Sequence, residues 1–281
     1  MAVQVVTDSG ADIPEQLATD LGIVVVPLTV SFGNESYKDG IELSADQFYQ
    51  RLLHEDMMPT TSQPSVGSFV EAYKNIRASS NQILSIHLSS KLSGTLNSAT
   101  QAGSMENLGE SIRFIDSMQA SMGLGFSVIA AAEAAKGGAS LDQAASVAKS
   151  VLDRTRIFIL FDTLEYLEKG GRIGRASALF GSVLQIKPIL TLEDGVIETK
   201  LKIRTFQKGV QRLQQLTEEC GNLDKAAILY TTDPTAARNL AGRLNNRFAE
   251  DTSPLIIRIS PAVGAHGGPG VIGVVCVITQ T

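Results

Sequence analysis

Two cysteines, three histidines and the lack of any long apolar run exclude several kinds of protein before a motif is read. Cys220 and Cys276 form no C-x-x-C pair, so zinc-ribbon and thioredoxin-type chemistry have no foothold. Such scarcity suits a reducing cytoplasm. His54, His87 and His266 are dispersed without metal-ligand spacing, so no metal and no cofactor is expected. The opening MAVQVVTDSG has no basic n-region and soon turns polar, unlike a signal peptide. No apolar run approaches the roughly 20 residues of a membrane span. A formal charge of −5 argues against nonspecific nucleic-acid binding, which needs a dense basic surface. These absences lead to the expectation of a cytoplasmic protein without stable membrane insertion.

What is present is an ordinary globular composition, 43% hydrophobic and 19% charged, in a chain of 281 residues. That length suits one large domain or two closely packed ones. The first half alternates strand-like and helix-like segments. Strands are expected at 2–7, 23–30 (with Pro27 at an edge or bend), 83–88 and 111–116. Between them, helices are expected behind Pro14, at 43–53 with Ser44 as cap and Phe48, Leu52 and Leu53 on one face, at 65–76, and after KLSG. Two more follow at 121–136 and 141–153. Such alternation predicts a parallel α/β sheet whose ligand site gathers at the carboxyl ends of the strands. The loops DSGAD, SSKLSGT and DSMQASMG all fall there. From about residue 156 the pattern becomes α/β with a mixed sheet, including a hairpin over 187–200 around Asp194-Gly195.

Four stretches carry candidate chemistry. In KLSGTLNSA (91–99), Ser93 can cap a helix, act as a nucleophile, or help seat an anion on free N–H groups, with Gly94 permitting close approach. In the loop PTTSQPS (59–65), Ser65 can cap the next helix, leaving Thr60, Thr61 and Ser62 for solvent or ligand. EKGGRIGR (168–175) is neither a dinucleotide nor a Walker loop. It reads as a helix end with Gly170 or Gly171 left-handed, or as a turn aiming Arg172 into a cleft. PAVGAHGGPG (261–270) reads as a glycine-rich loop around His266, either a surface histidine or a site residue. A Ser93–His266 acyl hydrolase is a rival reading, weakened because G-x-S-x-G is absent around Ser93.

Taken together, six stretches in order resemble the DegV family of bacterial lipid-binding proteins over essentially the full chain. They are VTDSGADIP (6–14), TTSQPSVGSFVEAY (60–73), SSKLSGTLNSA (89–99), DSMQASMGLG (116–125), DTLEYLEKGGRIGRASALFGSVLQIKPIL (162–190) and GAHGGPG (264–270). The resemblance implies two α/β domains, an N-terminal Rossmann-like parallel-sheet domain (1–155) and a C-terminal mixed-sheet domain (156–281), with a long-chain fatty acid of the palmitate or oleate class between them. It also implies a non-enzymatic carrier, the fatty-acid-binding subunit (FakB type) of a fatty acid kinase. A separate kinase subunit would phosphorylate the bound carboxylate for phospholipid synthesis. By the same resemblance Thr61 and Ser93 bind the carboxylate, supported by Thr60, Ser62, Gly94, Arg172 and His266. Arg204 becomes a possible contact for the kinase. Gly267 departs from the threonine many members carry after the histidine. A lipid-sensing module without a kinase is a second rival.

Overall fold

The structure is a computed structural model that describes residues 3–78, 82–179, 186–244 and 253–280. Ala2 of the first expected strand and residues 180–185 of the longest motif lie outside them.

Apolar residues dominate β1 (Val3–Asp8), which leads through a 3-10 turn into α1 (Glu15–Asp20). The β-branched run 23–30 does not continue as one strand. Proline has no N–H for a ladder, and the run breaks at Pro27 into β2 (Val24–Val26) and β3 (Thr29–Phe32), which join different sheets. A strand not read from the sequence, β4 (Glu35–Lys38), pairs back on β3. Ser44 and Gln47 form a reciprocal capping box on α2 (Ala45–His54). Phe48, Tyr49 and Leu52 are buried there, but Leu53 is 53% exposed because it stands about 100° further round the helix. The expected loop PTTSQP contains β5 (Thr60–Ser62), paired antiparallel with β3.

Ser65 caps α3 (Val66–Arg77), followed by β6 (Gln82–His87), α4 (Thr95–Met105), β7 (Ile112–Asp116), α5 (Met122–Lys136) and α6 (Leu141–Arg154). Then come β8 (Thr155–Leu160), α7 (Glu165–Lys169), β9 (Lys187–Glu193) and β10 (Val196–Ile203). Asp194 and Gly195, both at positive φ, make the β9–β10 turn. The described elements end with α8 (Phe206–Glu219), β11 (Leu223–Tyr230), α9 (Pro234–Leu244), β12 (Leu255–Arg258), α10 (Pro261–Gly267) and β13 (Ile272–Ile278).

Three sheets result. A parallel sheet runs β2-β1-β6-β7, a mixed six-stranded sheet runs β10-β9-β8-β13-β11-β12, and a small sheet runs β4-β3-β5. The α/β class with one parallel and one mixed sheet is therefore as the sequence led us to expect. Between the two large sheets lies α5, which is apolar all round and buried on both sides. Its Leu124, Val128 and Ala131 join the core of the parallel sheet, while Met122, Phe126 and Ile129 join that of the mixed sheet. The outer face of the parallel sheet is covered by Phe69, Tyr73 and Ile76 of α3 and by Ala99 and Ala102 of α4. On the outer face of the mixed sheet, Leu213 and Leu216 of α8 and Leu240 and Leu244 of α9 pack over Phe158, Leu160 and Ile228.

His87 is a satisfied core residue. Its Nδ1 donates to Asp8 Oδ2 at 2.9 Å, and its Nε2 meets Ser85 Oγ at 2.7 Å, which in turn lies 2.8 Å from Tyr73 Oη. His54 lies exposed on α2 with its ring 2.8 Å from Gln50 O.

Because Phe126 inserts where α5 meets the mixed sheet, Phe126→Ala is expected to cost about 3–5 kcal/mol, the usual range for emptying a buried aromatic site. Urea unfolding measures it, and a loss below about 1 kcal/mol would mean that the site collapses or is not packed.

Candidate functional site

The loops leaving the carboxyl ends of the parallel strands meet at one internal cavity. Gly10 follows β1, Leu92 and Ser93 follow β6, and Ala120 and Ser121 follow β7; all five line it. Its opposite wall is the inner face of the mixed sheet, with Ile157 and Ile159 of β8, Leu190 and Leu192 of β9, Ile197 of β10 and Leu229 of β11. The cavity offers about 120 Å³ to the centres of water-sized spheres. One water needs about 10–15 Å³ by that measure, so roughly ten would fit, against walls that are mainly hydrocarbon.

The polar side chains in the lining are few. Strand alternation on β5 turns Thr61 inward and leaves Thr60 and Ser62 exposed outside the lining. Thr61 Oγ1 lies 2.7 Å from His266 Nε2, joining residues 205 positions apart. The glycine-rich loop expected around His266 is in fact α10, begun by Pro261 at its first turn, with His266 in its last. Two buried carboxylates hold the start of this helix. Asp12 Oδ1 accepts from Ser260 N at 3.1 Å, and Asp39 Oδ1 accepts from Ala262 N at 3.3 Å.

The other ring nitrogen of His266, Nδ1, is buried without a hydrogen-bond partner among the described residues. It packs directly over Gly170, where a Cβ would lie 2.9 Å from Cε1 and closer still to Nδ1. Gly171, at φ 69, takes the left-handed turn at the end of α7 and so aims Arg172 back at the cavity. Arg172 donates through Nη1 to Gly170 O at 2.7 Å and through Nε to Leu92 O at 3.2 Å. It has no carboxylate partner among the described residues, and it is the one charged side chain in their lining of the cavity.

Ser93 is not the helix cap. The α4 N-cap is Gly94, which caps with no side chain. Ser93 Oγ instead accepts from Thr95 N at 3.3 Å and lies 2.9 Å from Thr95 Oγ1, the local two-residue loop that serines favour in turns. Its hydroxyl is thus engaged away from His266, whose Nε2 is taken by Thr61; Ser93 and His266 form no relay. Gly94 lies outside the lining, beneath Gln63. Arg204 is exposed just past β10 and does not reach the cavity. Three polar lining residues, Gln63, Ser121 and Thr191, were not singled out in the sequence. Gln63 carried a signal, since it directly follows the TTS run.

Burial, followed by the nearby positive charge of Arg172, holds the His266 imidazole down to about 4. Burial has the opposite consequence for acids, raising Asp12 to about 6 and Asp39 to about 7. At neutral pH the site therefore has a neutral imidazole beside a permanent guanidinium. Among the described residues no cluster could hold a metal ion, and no helix is long and apolar enough to cross a membrane.

The sequence model described as an uncharacterised protein of the DegV family matches residues 2–279. The chain belongs to the DegV family. A DegV domain-containing protein of Streptomyces coelicolor is 38% identical over 276 residues, 97% of each chain. One from Halalkalibacterium halodurans is likewise 38% identical, over 96% of each. Among solved structures, a fatty-acid-binding DegV family protein from Thermus thermophilus superposes with a TM-score of 0.91 at 31% identity, covering 99% of this chain and 100% of that one. DegV of Bacillus subtilis, described as a fatty acid binding protein, gives 0.88 at 32% identity over 99% of each. A stearic acid-binding protein from Eubacterium ventriosum gives 0.87 at 26% identity over 98% of each.

The depressed value of His266 has a direct consequence in this DegV chain. The unfolded chain binds the proton more readily, so the stability associated with the neutral ring is fully present above about pH 6.5 and declines as pH falls toward about 4. In a nuclear magnetic resonance titration, His266 is expected to stay neutral through pH 5 with a midpoint near 4. A midpoint near the ordinary 6.5 would mean that water reaches the ring freely.

Proposed function

We propose that this protein binds a long-chain fatty acid with its tail in the cavity and its carboxylate at the end bounded by Thr61, Ser93, Arg172 and His266. The observation that carries this reading is Arg172: a guanidinium beside a hydrocarbon-walled cavity, without a carboxylate partner among the described residues. A partly buried cation in that position is stabilised by an anion brought in with an apolar body. Neighbours described as fatty-acid-binding DegV proteins support it. The ligand would lie between two domains, 1–155 and 156–281, each built on one of the large sheets.

The energetics suit a carrier. Burying about 15 methylenes at ~0.8 kcal/mol each gives roughly 12 kcal/mol of gross transfer energy. Immobilising a flexible chain offsets much of this. The tail then sets affinity, and hydrogen bonds to the head, about 1.5–3 kcal/mol when one partner is charged, select the acid. Ser93 can donate its hydroxyl, and one donor comes from the Thr61–His266 pair: Thr61 when Nε2–H donates to it, or Nδ1–H when Thr61 donates to Nε2. Thr60, Ser62 and Gly94 do not line the cavity, so we exclude them from the head-group contacts.

On this reading the protein is a non-enzymatic, cytoplasmic carrier. It presents the carboxylate to a separate kinase for acyl-phosphate formation and phospholipid synthesis, with exposed Arg204 on the partner-facing surface. Support for the kinase step is the resemblance of the six sequence stretches to carrier subunits. The acyl-hydrolase rival lacks a hydrogen bond between Ser93 and His266. Added fatty acid kinase and ATP should convert bound acid to acyl phosphate; binding without conversion would leave a sensor or store.

Native mass spectrometry after mild purification is expected to show a mass increment matching a long-chain fatty acid. An empty protein that also refuses added palmitate and oleate would overturn the assignment. Thr61→Ala and Ser93→Ala should each weaken palmitate retention by roughly ten- to a hundredfold, the loss of one charge-assisted hydrogen bond, while the circular dichroism spectrum is unchanged. Undiminished retention in both would remove them from the head-group site.

A further inference from the structure

Gln63 lines both the cavity and a separate outer groove beside the polar end. The groove runs between β2, β3 and α3, and includes Val25, Lys38, Ser65 and Asn75. Gln63 is exposed on this boundary, and its Nε2 donates to Ser98 Oγ of α4 at 3.2 Å. Its amide lies flat over Gly94, where an added Cβ would stand only 2.7 Å from Nε2 and 2.8 Å from Cδ. Gly94 sits at φ −80, a conformation open to any residue. What demands glycine there is the close approach of the Gln63 side chain, not the backbone. Gln63 also follows Thr61 by two positions and rests on the neighbour of Ser93, so it closes the cavity beside the two hydroxyls placed at the polar end.

We propose that Gln63 is the partition at the head-group end and that it determines specificity for a free acid over the corresponding ester. This rests on the reading that the cavity holds a fatty-acid carboxylate there. A carboxylate ends at its two oxygens, and the space beyond them is filled by the Gln63 amide. An ester carries an alkoxy group on one of those oxygens and must place it where the amide lies. Removing the side chain joins the cavity to the outer groove, which then receives the alkoxy group.

The test compares palmitate with methyl palmitate in displacing a fluorescent acyl probe from delipidated full-length protein. Wild type is expected to prefer the acid. Gln63→Ala should narrow the acid-to-ester affinity ratio by about tenfold or more, the range expected when a pocket gains room for one methyl group. Gly94→Ala, whose methyl displaces the same amide, should narrow the ratio in the same direction. The attraction of Arg172 for a carboxylate is common to all three proteins, and the partition requires the ratio to narrow because the ester binds more tightly; narrowing through weaker acid binding alone overturns it. Equal binding of acid and ester by wild type, or an unchanged ratio in both variants, overturns the proposal. Wild type that binds neither ligand instead overturns the fatty-acid reading beneath it. Gln63→Ala trims an exposed side chain and so keeps the test informative if Gly94→Ala disturbs the fold.

Discussion

The polar end of the cavity depends on how α10 is anchored. A helix of seven residues cannot sustain itself, because nucleation costs more than so few hydrogen bonds return. Its first amides are held by carboxylates from the other end of the chain, Asp12 and Asp39, 248 and 223 positions from the groups they accept. Negative charge at a helix N-terminus is favourable, yet burial raises both acids. The arrangement costs solvation and in return fixes a short helix rigidly. At the far end of that helix, His266 is thereby brought to Thr61 on the small sheet.

The cavity exists because a layer ends. Over most of its length α5 fills the gap between the two large sheets with Leu124, Phe126, Val128 and Ile129. It begins at Met122, and the two residues before it, Ala120 and Ser121, line the cavity. Beyond that point the inner face of the mixed sheet presents Ile157, Leu190 and Leu229 to the cavity. An uncovered apolar wall is unfavourable to hydrate, and this favours occupation by hydrocarbon. Polar side chains lie at the boundary, where burial keeps the His266 imidazole neutral beside Arg172, which has no carboxylate partner among the described residues.

Local chemistry was legible wherever a feature is decided within a few residues. Ser44 with Gln47 closes α2, Ser65 caps α3, and Asp194-Gly195 turns β9 into β10. Gly171 rather than Gly170 proved to be the left-handed residue of the two candidates. Reading failed where a distant partner decides. PTTSQP looked like a loop because its two prolines speak against a strand, but three residues between them pair with β3. The helix of GAHGGPG was hidden because glycine is a poor helix former and the carboxylates that hold its start, Asp12 and Asp39, come from far along the chain. Ser93 looked like a cap because serine so often is one; its hydroxyl bonds Thr95 instead.

By itself, the sequence determined the α/β class, the alternation that makes the parallel sheet, and the strand-end loops that converge on one place. Periodicity and crossover handedness are local rules, and they suffice for that much. Only the tertiary structure decided which hydroxyls face inward. On β5 a one-residue shift in register would exchange Thr61 for Thr60 and Ser62, because side chains alternate with period two. The same holds for the close packing of Gln63 on Gly94 and of His266 on Gly170. Each depends on segments far apart in the chain being held within van der Waals contact, and no local pattern of residues encodes that distance.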